Sequence, residues 1–172
     1  MDILYYASNG TWNCNATAFD LESHSSKNGT NTTIDALYAI NTTSDTIDYG
    51  LVQAGSVSNE QSLGLTNIGN QPISVYVKGF GGNDSVAGDG WAMLCDTGNN
   101  ITINQEKFGL QSLLDFSTKT PLTSMNQMMG LNISKQTSPL AQSTNQTYWQ
   151  IFASPMPIAN CLGTIRFTAG AS

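Results

Sequence analysis

The feature that most constrains this chain is the spacing of its turn-formers. Gly, Asn, Ser and Thr together fill 70 of the 172 positions. They fall in clusters that cut the apolar residues into short runs, and almost no run sustains a period of 3.6. Short runs with period two, bounded by such clusters, are strand signals. The pattern predicts strands over 3–7, 17–23, 33–41, 46–52, 62–67, 73–80, 91–96, 101–108, 130–135, 148–153 and 163–169. The clearest pair, 62–67 and 72–77, joins through Ile68-Gly69-Asn70-Gln71, with Gly and Asn expected to supply positive φ and Pro72 to open the second strand. Leu110, Leu113, Leu114 and Phe116, and Met125, Met128 and Met129, have spacings that fit a single helical turn each. Residues 24–32 read as a long polar surface loop. The expectation is one all-β domain over 1–172, an antiparallel β-sandwich of Ig-like or jelly-roll-like type with roughly eight to ten strands and at most one or two helical turns.

Charge then removes whole classes of function. Six basic residues against twelve acidic ones, a net charge of −6, leave no surface for nucleic acid. Charged residues are only 10% of the chain, yet 40% are hydrophobic, enough to build a core. The single histidine, His24, lies in a polar stretch and reads as solvated. No nucleophile elbow, zinc signature or phosphate loop occurs, so no catalytic residue, cofactor or metal is expected. Asn83, Asp84, Asp89 and Asp96 are oxygen donors in and after a Gly-rich stretch, but their spacing fits no EF-hand and reads as a turn loop. No apolar run reaches 18 residues, so no membrane span is expected. Residues 1–6 lack the features of a signal peptide, and a secreted form would be the mature chain.

Asparagine and cysteine point to the compartment. The N-x-[ST] pattern occurs at Asn9, Asn15, Asn28, Asn31, Asn41, Asn83, Asn100, Asn132 and Asn145. With 17 asparagines among so many Ser and Thr, chance alone gives about four. An accidental excess in an Asn-rich chain is one reading; N-linked glycans on an extracellular protein is the other. At Asn100-Ile101-Thr102-Ile103-Asn104 alternation sends the asparagines away from the isoleucines. Three cysteines suit one disulfide and a leftover thiol. Cys95 and Cys161 lie in or beside apolar strand-like runs and are the expected pair, leaving Cys14. Closing a loop of that span would stabilise the fold by about 4 kcal/mol on a chain-entropy model.

Two segments carry a resemblance. Ile47-Asp48-Tyr49-Gly50, followed by Leu65-Thr66-Asn67-Ile68-Gly69-Asn70-Gln71-Pro72-Ile73, and the ending Asn160-Cys161-Leu162-Gly163-Thr164-Ile165-Arg166-Phe167, resemble archaeal secreted surface-filament β-sandwich subunits of the thread, bundling-pilus and TasA/camelysin-like type. The resemblance implies an extracellular cell-surface assembly in which a protomer donates a terminal strand to its neighbour. It implies identical subunits as partners, and it assigns no catalytic residue.

Ile3, Leu4, Tyr5 and Tyr6 are apolar on both faces and precede a flexible Ala7-Ser8-Asn9-Gly10. Residues 1–10 therefore read either as an N-terminal donor arm or as the first strand of their own sandwich. The expected function is a glycosylated structural subunit of an extracellular filament or surface layer, assembled by strand donation. The alternative is a monomeric cell-surface adhesin or carbohydrate-binding module of the same fold, in which an exposed aromatic such as Trp12 or Tyr148 stacks on sugar.

Overall fold

The computed structural model describes residues 4–22, 25–82, 90–138, 142–156 and 159–172. Among these, twelve strands form in chain order: β1 (Gly10–Phe19), β2 (Ser25–Ile34), β3 (Ile40–Thr42), β4 (Gln61–Asn67), β5 (Ile73–Gly81), β6 (Trp91–Cys95), β7 (Ile101–Thr102), β8 (Glu106–Gly109), β9 (Thr120–Pro121), β10 (Gln127–Ile133), β11 (Thr144–Ile151) and β12 (Cys161–Ala171). Two five-stranded sheets, ordered β10-β5-β12-β6-β7 and β3-β4-β11-β8-β9, pack face to face, and β1 with β2 makes a separate hairpin. Every strand pairing is antiparallel. The all-β sandwich expected from the turn spacing is the fold observed.

Alternation builds the core. Leu63 and Leu65 of β4 face Ile73, Val75 and Val77 of β5 across the sandwich, while Met129, Leu131 and Ile133 of β10 close one side. Trp149 of β11 is fully buried between Phe108 and Phe167, with ring centroids at 5.3 and 5.8 Å. Its indole N–H donates to the Thr147 hydroxyl, which donates to the Leu63 carbonyl, so both buried polar groups are paired.

Several local expectations are corrected. The turn Ile68-Gly69-Asn70-Gln71 joins two sheets and does not close a hairpin, since β4 pairs with β3 and β11 while β5 pairs with β10 and β12. Neither Gly69 nor Asn70 has positive φ. Gly69 is there for close approach: a Cβ would stand 2.2 Å from the Leu37 carbonyl oxygen. Asn67 fixes the corner, accepting from the Gly69 amide and reaching the carbonyls of Gln71, Ile133 and Ser134. Within the predicted loop 24–32, residues 25–32 belong to β2, a strand with no apolar alternation to reveal it. Residues 46–52 form no strand; the Asp48 carboxylate accepts from the Gly50 amide and turns the chain at a positive φ. The two expected helical turns are absent: Leu113 sits in an exposed turn, and Met128 and Met129 lie in β10. The one helical piece among the described residues is a 3₁₀ turn over Ile103–Gln105.

Candidate functional site: an open strand edge and its groove

β12 is an interior strand of its sheet whose second side carries, among the described residues, a ladder only at its start. β5 pairs with it continuously from Gly163 to Ala171, without a bulge. On the other side β6 pairs only at Cys161 and Leu162, then leaves to pair with β7. The Cys95–Cys161 disulfide lies at this point of divergence. Gly163 marks it too, because a Cβ there would stand 2.0 Å from the Ala92 carbonyl oxygen. Beyond it, no ladder forms on the second edge of β12 among the described residues. The exposure follows: inward-facing Ile165, Phe167 and Ala169 are half-buried, though Val77 and Val75, which pair with Phe167 and Ala169 on β5, are fully buried.

A groove runs beside this edge between β12 and the irregular segment 42–52. It consists of three cavities of about 420, 300 and 210 Å³ in series. Ile47 lines all three, while Tyr49, Met93 and Cys161 are shared by the two larger and Ile165 by the two smaller. The charged residues on its walls are Asp45, Asp48 and Glu106, with no Lys or Arg.

Glu106 is the buried member of that set, 2% exposed. Tyr49, carried across by the 42–52 segment, donates its hydroxyl to Glu106 Oε1 at 2.7 Å. Burial pushes the Glu106 carboxyl up to about 7, against the hydrogen bond from Tyr49, which acts the other way. Tyr49 is raised well above its ordinary range, first by burial and then by the Glu106 charge and hydrogen bond. The sequence reading missed this pair because 57 positions separate its members. The available signal was a carboxylate at the core-facing position two before Phe108. An ion pair from buried Lys119 to part-buried Glu60, at 2.6 Å, ties the residue before β9 to the residue before β4 and stands outside the groove.

The other predicted residues divide clearly. Cys95 and Cys161 form the expected disulfide, and Cys14 is a free, exposed thiol on β1. Asn15, Asn28 and Asn31 stand on the hairpin, and Asn9, Asn41, Asn132 and Asn145 are also exposed. Asn100 is half-buried, its side-chain oxygen accepting from the Cys95 amide. Leu4, Tyr5 and Tyr6 lie in a turn, tied to their own sandwich through Tyr5 to Gln136, Ser8 to Lys135 and Asn9 to Gln71. Trp12 is 48% exposed and Tyr148 half-buried. Ile3, His24, Asn83, Asp84 and Asp89 lie outside the described residues. Among the described residues no three His, Cys, Asp or Glu gather to hold a metal, and no helix is long and apolar enough to cross a membrane. No family model, curated protein or solved structure matches the chain.

Proposed function

We propose that the protein is a structural subunit of an extracellular filament or surface layer, in which a strand of one copy is laid along the free edge of β12 in the next. The observation that carries this reading is that edge, with half-buried Ile165, Phe167 and Ala169 beneath it. Folded proteins usually blunt such edges with proline, a bulge or a covering element. From Gly163 to Ala171 there is no proline and no bulge. An added strand would extend the sheet on this side and cover the inward side chains in one step. The disulfide and the exposed N-x-[ST] asparagines support an oxidising, glycosylating route to the cell surface. Glu106 and Tyr49 satisfy one another and form the floor of this groove, with no catalytic step assigned to them.

Electron microscopy of native, unreduced material tests the reading. Fibres or sheets with one chain as the repeat are expected. Discrete particles of one 18.4 kDa chain plus sugar would overturn it and leave the monomeric binding module.

A further inference from the structure

We propose that the strand laid on β12 is β1 of a second copy, carried in by the whole β1–β2 hairpin with Trp12, Cys14, Ala16 and Ala18 turned into the groove. This rests on the reading that copies join through the β12 edge, and it names the element that makes the join.

The hairpin is an element without a sheet. All ten residues of β1 are exposed, and on β2 only Ile34 is half-buried. A two-stranded hairpin alone in water is marginal, and this one has ten paired positions on each strand. Its two faces differ. Register places Trp12, Cys14, Ala16 and Ala18 on one side of β1, while Thr11, Asn13, Asn15, Thr17 and Phe19 occupy the other. On β1 the first side is apolar and three of its four residues are small, and β2 adds Ser26, Asn28, Thr30 and Thr32 beside it. The second carries Asn15 and, from β2, Asn31, so sugars there would project away from a partner.

Groove and hairpin fit on three counts. The stretch of β12 with no second ladder among the described residues covers 164–171, a little shorter than the ten residues of β1. Groove walls bear carboxylates and no cation, and β1 carries no charge at all. The hairpin is rooted where β12 ends. Asn9 is held by Gln71, and Asp35 and Leu37 by Asn70, immediately before Ile73, the partner of Ala171. A hairpin springing from one end of the sandwich to fill a groove on the next copy makes a head-to-tail contact, and repetition of such a contact gives an open filament. The 4–6 segment is the weaker donor, being a turn already bonded to its own chain.

Cys14 provides the test, because it lies at the middle of β1 and falls near Phe167, the middle of the free edge, whichever way the strand runs. Ala169→Cys and Ile165→Cys are made separately in the full chain, and the assembled material is mildly oxidised. At least one variant should give a ladder of covalent multimers on a non-reducing gel, lost when Cys14→Ser is added. Fibres with no Cys14 cross-link in either variant would overturn the hairpin as donor and leave the β12 reading standing. Absence of fibres in the wild type would remove the reading itself. Ala16→Asp, exposed in the single copy, should raise the concentration needed for assembly roughly tenfold or more, since it buries a charge on joining. Thr17→Asp on the opposite face should leave it nearly unchanged, and equal effects would also overturn the proposal. Asn28 shares the apolar face with Ala16 across the register, so it should carry no sugar in assembled protein; a glycan there in fibres would count against this face.

Discussion

β5 and β12 are neighbours in one sheet, paired residue for residue, yet they live in different surroundings. Val75 and Val77 of β5 are sealed by β10, β12 and the opposite sheet, while Ala169 and Phe167 beside them remain half-open. Local sequence does not explain this, because both strands alternate apolar residues inward. The difference lies in the second neighbour. β5 has a ladder on both sides, and β12, among the described residues, has none on its second side after Leu162. A strand can therefore carry a core pattern without having a complete core around it.

The largest effect that bears on this contrast comes from truncation where packing is finished. Trp149→Ala removes the ring that bridges the sheets, and should cost about 3–5 kcal/mol of unfolding free energy in the single copy. Phe167→Ala, at the open side, should cost about half as much, because part of that ring is still in water. Urea denaturation of the two variants checks the ratio. Equal losses would mean that the β12 side is as well packed as the β5 side, and the contrast would fail.

Next in size is the carboxyl beneath the groove. Glu106 titrates at about 7 in the fold against an ordinary 4.5, so between these values the folded chain holds a proton that the unfolded chain has released. Stability then falls as pH rises through this window and levels off above it. The slope should amount to about 3 kcal/mol in all. Glu106→Gln keeps an acceptor for the Tyr49 hydroxyl and should abolish the slope, leaving the variant the more stable protein at pH 8. Unfolding measured from pH 4.5 to 8 decides it, and an unchanged slope in the variant would assign the pH dependence elsewhere.

How much of this was legible in the sequence follows the same division. The buried strands 62–67 and 73–80 matched β4 and β5 to within a residue, because apolar residues recur at every second position between turn-formers, even though both strands are buried on both faces. Cys95 and Cys161 were legible for the same reason. What alternation cannot carry is the partner of each strand. The turn at 68–71 looked like a hairpin because Gly and Asn serve close approach and side-chain capping as well as positive φ. β2 was invisible because a strand exposed on both faces leaves no apolar trace. Tyr49 and Glu106 meet only through the path of the 42–52 segment, a tertiary fact that local spacing does not contain. The open edge is of that kind too: 163–169 reads as a strand, with nothing in its own residues to say which of its sides is paired.

The smallest predicted effect is the most direct probe of what β12 lacks. Ile165→Val removes one methylene from a half-buried side chain facing the groove. A buried change of this kind costs about 0.5–1.5 kcal/mol. In the single copy the loss should fall below about 0.5 kcal/mol, since the methylene is already partly solvated in the fold. In assembled material the same substitution should cost the full buried amount, read as an added loss of assembly free energy over the single-copy value. Val77→Ala, already sealed, should cost the same in both states apart from what assembly adds to every variant. A state-dependent penalty at Ile165 with none at Val77 would mean that the neighbour completes this side of the core. Equal penalties in both states would place the join on another surface, whatever the fibres look like.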